Sequence, residues 1–238
     1  MQSVKGKNIL VAGATGSIGL ATVKLLLSCG ANVFITGRNK EKLQQIAVEY
    51  KIPSDRIFAA DLANPEHVQQ LKGKYFEVMP GIDVLVNASG IGIIKPVEQL
   101  TEEEFLQTIN TNLYAVFLLV KAFVPAMKET KTGLIINIPG VLGKVPMVGA
   151  AAYSASKYGL VGMMQSIREE LKRTEIRITN LFLGGVDSAF WDTIDLRVQR
   201  DKMIMAEEAA KAILFLCQQP ASGVVSEMVL QPFNHQAI

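Results

Sequence analysis

The chain has 238 residues, of which 49% are hydrophobic, and a formal net charge of +2. A chain of this length can bury a core large enough to fold without disulfides or a structural metal. The small net charge excludes the strong basic field with which proteins attract nucleic acid or an anionic membrane.

Short apolar runs alternate with longer helical patterns from the first residues to the last. The runs are rich in Val, Ile and Leu without polar alternation, which predicts strands buried on both faces. Predicted strands cover residues 8–12, 32–36, 56–59, 82–87, 133–138, 177–183 and 224–230, and predicted helices cover residues 17–28, 40–50, 65–73, 102–128, 150–173 and 206–218. This alternation predicts one α/β domain over residues 1–238, a Rossmann-like, doubly wound parallel sheet of about seven strands with helices on both faces.

Membrane and metal signals are weak. No apolar run followed by a small-residue cleavage site precedes the first strand, so we expect no secretory leader. The most apolar helix, around residues 114–127, contains Lys121 and Pro125 and looks too short and too polar to cross a bilayer. His67 and His235 lack ligand-like neighbours in sequence, so no metal site is expected. We therefore expect a cytoplasmic protein without a membrane or nucleic-acid partner.

A glycine-rich turn joins the first predicted strand to the first predicted helix, with the sequence AGATGSIG at residues 12–19. Glycines allow a sharp turn and a close approach of backbone to a pyrophosphate, and the helix start offers unpaired N–H groups to that anion. The alternative is a tight turn without a ligand. The predicted cofactor-binding residues of this turn are Gly13, Thr15, Gly16, Ser17, Ile18 and Gly19.

The end of the second predicted strand indicates which dinucleotide binds. The sequence there is TGRN, with Arg38 and no carboxylate to accept hydrogen bonds from the ribose 2′-OH of NAD. A guanidinium is suited to a 2′-phosphate because its donors form a planar charged fork. NADP(H) is therefore favoured over NAD(H). The alternative is that Arg38 is a solvated charge at a helix start.

Tyr153 and Lys157 stand four residues apart in a predicted helix, which places both on one helix face. A nearby ammonium stabilises tyrosinate and lowers the pKa of the phenol. Such a phenol is a usable acid near neutral pH.

With these motifs in this order, the chain resembles the short-chain dehydrogenase/reductase family over nearly its whole length. The resemblance is strongest to the 3-oxoacyl carrier-protein reductase-like branch. It implies further cofactor contacts from the turns that follow the third, fourth and sixth strands: Asp61, Leu62, Asn87, Ala88, Ser89, Gly185, Val186 and Ser188.

The same resemblance implies the roles of the catalytic residues. Tyr153 would be the acid/base, Lys157 would lower its pKa and bind the nicotinamide ribose, and Asn112 would hold a proton-relay water. The family places a serine thirteen residues before the tyrosine, where this chain has Gly140. Removing such a hydrogen-bond donor typically costs about two to three orders of magnitude in rate. Compensation from a backbone N–H, from Ser89 or from water is left open.

In the family, residues 187–206 would form a mobile lid over the substrate. Trp191 and two methionines in this segment suggest an apolar cleft with adaptable walls. Arg197, Arg200 and Lys202 would either meet an acidic substrate or carrier protein, or lie in water on a surface helix.

The sequence thus predicts an NADPH-dependent oxidoreductase that transfers hydride between nicotinamide and a small-molecule ketone or alcohol. A β-keto acyl or other apolar carbonyl compound is the expected substrate. One alternative is an NADP(H)-binding protein with little dehydrogenase activity, motivated by Gly140. Another is a non-redox reaction such as epimerisation, dehydration or isomerisation. The resemblance also implies a homodimer or homotetramer built on the helices at residues 102–128 and 150–173.

Overall fold

The computed structural model describes residues 2–194, 196–220 and 222–234, and within them seven strands form one parallel sheet. The strands are β1 (Asn8–Ala12), β2 (Asn32–Gly37), β3 (Ile57–Ala59), β4 (Val84–Asn87), β5 (Thr132–Asn137), β6 (Glu175–Leu183) and β7 (Glu227–Leu230). Their order across the sheet is β3-β2-β1-β4-β5-β6-β7. The order reverses between β1 and β4, so a crevice opens beyond the carboxyl ends of these two strands. The predicted doubly wound parallel sheet is confirmed.

Among the described residues, seven α-helices and a five-residue π-helical turn cover the sheet. The helices are α1 (Ser17–Ser28), α2 (Lys40–Glu49), α3 (Pro65–Val78), α4 (Glu102–Ile109), α5 (Ala115–Thr130), α6 (Ala151–Leu171) and α7 (Ala206–Cys217), and the π-helical turn is Asn110–Tyr114. Local sequence fixes several of the starts. The Asn64 side chain accepts hydrogen bonds from the first N–H groups of α3, and Thr101 with Glu104 forms a capping box at α4.

The side chains of each strand alternate between two cores. In β1, Leu10 belongs to the core under α3, α5 and α6, whereas Ile9 and Val11 belong to the core under α1, α2 and α7. The first core contains packed aromatic rings, with Tyr75 centred 5.3 Å from both Phe34 and Phe123. Both faces of the sheet are thus covered, as the apolar runs predict.

Helix α3 is longer than the sequence predicts. We expected it to end at Gly73, but it continues to Val78. A glycine inside a helix costs only about 1 kcal/mol relative to alanine. The fully buried Tyr75 lies beyond that glycine, and its burial outweighs this cost.

The predicted helix at residues 102–128 is confirmed, because α4, the π-helical turn and α5 form one continuous rod, Glu102–Thr130. The expectation that its apolar part is too short and too polar to cross a bilayer is wrong by length and composition alone, although 44% of the most apolar stretch of the rod is buried inside the molecule. Buried α5 side chains such as Leu119 and Phe123 pack into the core. The rod is therefore a core helix of the sheet, as its packing shows.

Candidate functional site

The turns after β1 and β4 touch at the point where the strand order reverses. Gly13 has φ +82°, and a Cβ on it would lie 2.6 Å from the Ala88 carbonyl carbon and from the Ser89 nitrogen. A Cβ on Gly19 would lie 2.2 Å from the Gly13 carbonyl oxygen. Only glycine fits at these two positions, and the start of α1 is therefore drawn tightly against the turn.

A cleft with a cavity volume of about 250 Å³ opens beside this contact. Eight of the residues that the sequence predicted for cofactor binding line it: Gly13, Thr15, Gly16, Arg38, Asp61, Leu62, Ala88 and Ser89. Six lining residues were missed: Gly37, Ala60, Ala63, Gly90, Thr111 and Ala115. Most of the missed residues are direct neighbours of a predicted residue at a strand end, so their place in the sequence could have indicated them. Thr111 comes from the π-helical turn, which the sequence did not reveal.

The chemistry of the cleft fits an elongated anionic ligand. Gly16 is the N-cap of α1 and makes no side-chain capping bond, so the first N–H groups of the helix are not capped by it. The Ser89 hydroxyl is buried and, in the described part of the chain, lacks a hydrogen-bond partner. Arg38 supplies a positive charge on the same cleft. Helix amides and a guanidinium together bind phosphate groups in many proteins.

Other predicted cofactor residues lie outside the lining of the cleft. Ile18 packs against the core under α1. The Asn87 amide donates to Asn137 at 2.6 Å, and the Asn137 amide lies 3.5 Å from its acceptor on Asn180. These three buried asparagines connect β4, β5 and β6 below the cleft. Asn87 therefore fastens the strand ends together, and the sequence did not indicate its two partners.

The helical rod is tied to α6 by Asn112, a fully buried residue of the π-helical turn. Its side-chain amide donates to the Ile91 carbonyl at 2.9 Å and to the Ser156 hydroxyl at 3.1 Å, and its oxygen accepts the Ile91 N–H at 2.8 Å. A π-helical turn interrupts the regular i→i−4 hydrogen bonding of a helix and is frequent at functional sites. Asn112 thus fixes the loop after β4 against α6.

Tyr153 and Lys157 lie on one face of α6, as predicted, with the Lys157 ammonium 5.4 Å from the centre of the Tyr153 ring. The ammonium donates to the Ile138 carbonyl at 3.1 Å, and only 4% of Lys157 is exposed. Burial lowers the pKa of Lys157 to about 8. Burial also raises the pKa of Tyr153 to about 12, the reverse of the lowering expected from the neighbouring lysine. Desolvation disfavours both charged forms and outweighs the attraction between them.

Gly140 faces the Tyr153 hydroxyl across a short gap. A Cβ on Gly140 would lie 3.8 Å from that hydroxyl oxygen and 3.4 Å from the Leu183 carbonyl oxygen. The backbone of Gly140 has φ +69° and ψ 169°, a conformation essentially confined to glycine. Two features therefore leave the space beside the Tyr153 hydroxyl open: Gly140 has no side chain, and its backbone conformation disfavours any residue that has one.

The segment after β6 packs back over the site. Val186 pairs with Ile204 in an isolated parallel bridge. The Ser188 hydroxyl donates to the Val186 carbonyl at 3.2 Å, and the Ala189 N–H lies 3.5 Å from the Ser17 hydroxyl of the glycine-rich turn. Gly185, Val186 and Ser188 are therefore held beside α1 without lining the cleft.

Metal-binding side chains do not gather in the described ranges, which hold no group of three or more His, Cys, Asp or Glu residues placed to bind an ion. His67 accepts the Asp61 N–H at 3.2 Å through its Nδ1 atom. The other histidine, His235, lies outside the described residues.

Residues 7–198 match the family model of the short chain dehydrogenase. An uncharacterized oxidoreductase of Staphylococcus aureus (strain MW2) is 29% identical over 98% of this chain and 100% of its own, and one of Staphylococcus epidermidis is 28% identical over the same shares. A metagenomic short-chain oxidoreductase, solved in complex with NADP, is 32% identical, with a TM-score of 0.83 over 97% of this chain and 99% of its own.

An alcohol dehydrogenase from the archaeon Thermococcus sibiricus, solved with 5-hydroxy-NADP, has the same fold, with a TM-score of 0.89 at 24% identity over 98% of this chain and 100% of its own. The chain belongs to the short-chain dehydrogenase family. It is accordingly an oxidoreductase whose fold binds a nicotinamide cofactor and whose substrates are small molecules with alcohol or carbonyl groups.

Proposed function

We propose that the protein is an NADPH-dependent reductase of ketones or aldehydes, reversible to alcohol oxidation. The observation that carries this proposal is the juxtaposition of Tyr153, Lys157 and Asn112 beside the glycine-lined cleft. A proton donor and a cofactor cleft on the same edge of the sheet are what carbonyl reduction requires.

The preference for NADPH rests on the end of β2. Arg38 lines the cleft, and no carboxylate stands at that strand end to bind a ribose 2′-OH. The solved metagenomic relative at 32% identity holds NADP. We infer that the amides at the start of α1 bind the pyrophosphate and that Arg38 binds the 2′-phosphate. Ser188 and the backbone of Gly185 and Val186 then receive the nicotinamide end.

The protein's part in the reaction is proton delivery. The nicotinamide, when bound, supplies hydride to the carbonyl carbon, while Tyr153 donates its hydroxyl proton to the carbonyl oxygen, which gives the alcohol. The raised pKa of Tyr153 keeps this hydroxyl protonated at neutral pH, as an acid must be. Lys157 stabilises the tyrosinate left behind, and water held at Asn112 returns the proton.

Gly140 occupies the position at which the family has a serine, thirteen residues before the proposed proton donor Tyr153. Without a hydroxyl there, the developing negative charge on the carbonyl oxygen lacks one donor, and the rate is expected to be low. This observation favours a second candidate function, an NADP(H)-binding protein with little turnover. A third, a non-redox reaction on the same scaffold, requires no such donor.

The substrate is proposed to be an apolar carbonyl compound, with a β-keto acyl compound as one member of that class. Of the three basic residues considered for an acidic carrier, Arg200 is already paired with Asp187 and Asp192 at 2.6 Å. Arg197 and Lys202 are exposed to solvent. The pairing of Arg200 favours a neutral apolar substrate over one recognised by charge.

Residues 1–238 are proposed to form one domain, with the lid at about residues 187–206. A homodimer or homotetramer is proposed on the faces of α5 and α6. The partly exposed rings of Phe117 on α5 and Tyr158 on α6 support it, with Tyr114 of the π-helical turn stacked beside Phe117. Aromatic rings are enriched in the cores of protein interfaces relative to the rest of the surface.

The function is tested by following NADPH consumption with a panel of apolar ketones and aldehydes, for the wild type and for Tyr153→Phe. We expect turnover that falls by at least a thousandfold in the variant, with NADPH affinity unchanged within about threefold. Tyr158→Phe, on the same helix, serves as the control. Equal turnover of wild type and Tyr153→Phe would refute the proposed mechanism. Tight NADPH binding without any turnover would support the second candidate.

A further inference from the structure

One aromatic side chain of the segment after β6 is seated against a glycine of the loop after β4. A Cβ on Gly92 would lie 2.2 Å from Cζ and 2.3 Å from Cε2 of Phe190. Real Cβ atoms do not approach other atoms so closely, so the Phe190 ring occupies the space that any side chain at position 92 would need. Gly92 is therefore a socket for the tip of this ring.

The same ring contacts the proposed proton donor. Phe190 lies with its centre 5.7 Å from the centre of the Tyr153 ring, at an interplanar angle of 63°. Its other neighbour is Trp191, 5.2 Å away and nearly perpendicular at 83°. Edge-to-face pairs at these separations are attractive, by roughly 0.5–1.5 kcal/mol each. Phe190 thus fills one side of the space beside Tyr153 in a defined orientation.

Arg200 holds the backbone and flanking side chains that carry this ring. Its guanidinium bonds Asp187 and Asp192 at 2.6 Å and the Ser188 carbonyl at 3.0 Å. A single exposed ion pair contributes little, but a planar guanidinium bonded to three oxygens fixes geometry as well as charge. The Trp191 indole also donates to the Val186 carbonyl at 3.0 Å. The ring is therefore held in place from both ends of residues 187–192.

We infer that Phe190 is the specificity-determining residue that limits the bulk of the substrate's carbonyl substituent, with Gly92 as its socket and Arg200 as a positioning residue. The inference rests on the proposed function, because it assigns the substrate class at the same site. A carbonyl oxygen must come within hydrogen-bond distance of Tyr153, and the Phe190 ring occupies volume beside that residue. A ketone with one small substituent is accepted, and one with two bulky substituents is rejected.

The first test compares reduction of acetophenone and benzophenone, which differ by one methyl-to-phenyl change on the carbonyl carbon. Phe190→Ala is expected to raise the benzophenone-to-acetophenone ratio of kcat/KM by at least tenfold. The control Phe215→Ala removes a partly exposed ring on α7 that does not line the cleft, and it leaves the ratio unchanged within twofold. An unchanged ratio in Phe190→Ala would overturn the inference.

A double-mutant cycle tests the socket. Gly92→Ala forces the Phe190 ring to move. It is therefore expected to change the benzophenone-to-acetophenone ratio of kcat/KM at least fivefold in the wild-type background. In the Phe190→Ala background no ring remains to be displaced, and the change is expected to be less than twofold. The control Gly81→Ala adds a methyl group to open space and has no effect on the ratio in either background. Equal effects of Gly92→Ala in both backgrounds would contradict the socket.

Arg200→Met tests the positioning role of Arg200, because such a role is expected to affect KM and kcat differently. We expect the KM for acetophenone to rise at least threefold with kcat changed less than twofold, because Arg200 touches no reacting group. Arg197→Met is the control on the same segment. A fall in kcat with an unchanged KM would contradict the role assigned to Arg200.

A measurement without turnover separates this inference from the proposed function. Trp191 is the chain's one tryptophan, so its fluorescence reports on the Phe190 contact directly. With NADP⁺ bound, which has no hydride to donate, the fluorescence change is expected to give a Kd for acetophenone at least tenfold lower than that for benzophenone in the wild type, and Phe190→Ala is expected to abolish the difference. If no ketone is reduced but the fluorescence titration still shows the preference for acetophenone, the proposed function is rejected and the size limit set by Phe190 is retained. Equal response to both ketones in the wild type would reject the size limit.

Discussion

Gly140 faces Tyr153 so closely that a Cβ on Gly140 would lie 3.8 Å from the tyrosine hydroxyl. The family resemblance implies only that a serine hydroxyl is missing at this position. The structure adds that the backbone of Gly140, at φ +69° and ψ 169°, has a conformation that other residues rarely adopt. Replacing the missing donor therefore requires a backbone change as well as a side chain.

This geometry gives a prediction for a pair of variants. Gly140→Ser and Gly140→Ala are both expected to lower the free energy of unfolding by about 1–3 kcal/mol, because both place a Cβ on a glycine-only backbone. Gly140→Ser is expected to exceed Gly140→Ala in kcat at least tenfold, because only serine adds a donor near the carbonyl oxygen. Chemical denaturation and carbonyl-reduction assays check the two parts. Equal kcat values for the two variants would show that position 140 does not serve the oxyanion.

A substitution in the glycine-rich turn is expected to weaken cofactor binding without destabilising the fold. A Cβ on Gly16 would meet only the Gly13 carbonyl, at 3.4 Å, and Gly16 has an ordinary φ of −82°. Gly16→Ala is therefore expected to fold with a Tm within about 5 °C of the wild type, yet to bind NADPH at least tenfold more weakly because the methyl group occupies the approach of the phosphate. Calorimetry and a binding titration measure both effects.

Gly19→Ala is the contrasting variant. Its Cβ would lie 2.2 Å from the Gly13 carbonyl oxygen, so the fold itself must give way. We expect a fall in Tm larger than in Gly16→Ala. Weak binding with unchanged Tm in both variants would mean that the close approach at Gly19 does not constrain the turn.

The proposed function assigns to Arg38 the choice between the two nicotinamide dinucleotides. Arg38→Ala is expected to raise the Kd of NADPH by about 10–100-fold, as for loss of a charged hydrogen bond, and to change the Kd of NADH less than threefold. Lys40→Ala, which removes an exposed charge at the start of α2, is the control. Similar losses for both cofactors would show that Arg38 does not contact the 2′-phosphate.

Burial of Lys157 predicts a pH dependence of stability. The folded protein holds this lysine with a pKa of about 8, below the ordinary value of 10.5. Between those pH values the unfolded chain binds more protons than the folded chain, so the free-energy cost of burying this lysine falls and the fold becomes more stable as the pH rises. The difference in unfolding free energy, wild type minus Lys157→Met, is expected to increase by roughly 1 kcal/mol per pH unit over that window.

Urea denaturation of the cofactor-free wild type and variant at closely spaced pH values checks this prediction. The contribution of Tyr153, whose raised pKa acts only above its ordinary value of 10.0, cancels in the difference. A difference that is flat between pH 8 and 10 would mean that Lys157 titrates normally in the folded protein.

Much of the fold follows from the sequence because apolar strand runs and helix caps are local signals. The glycine-rich turn, Arg38 and the Tyr153/Lys157 pair also carry local chemistry, and Arg38 and the first part of the turn line the cleft. The extension of α3 beyond Gly73 was missed because burial of Tyr75, a tertiary effect, outweighs helix propensity.

Long-range contacts were beyond the sequence patterns. The pairing of Asn87 with Asn137 depends on strand register, and the seat of Phe190 on Gly92 joins residues almost a hundred positions apart. The raised pKa of Tyr153 was also missed, since spacing reveals the nearby lysine but not the depth of burial. These features require the assembled sheet before they can be seen.

Hydride transfer itself can be followed with NADPH carrying deuterium at the transferring position of nicotinamide C4. The wild type is incubated with this cofactor and a panel of apolar ketones, and the products are analysed by mass spectrometry. The account predicts an alcohol with one deuterium on the former carbonyl carbon, formed by the wild type and lost in Tyr153→Phe. Products without deuterium, or the same labelled alcohol in equal yield from both proteins, would contradict it.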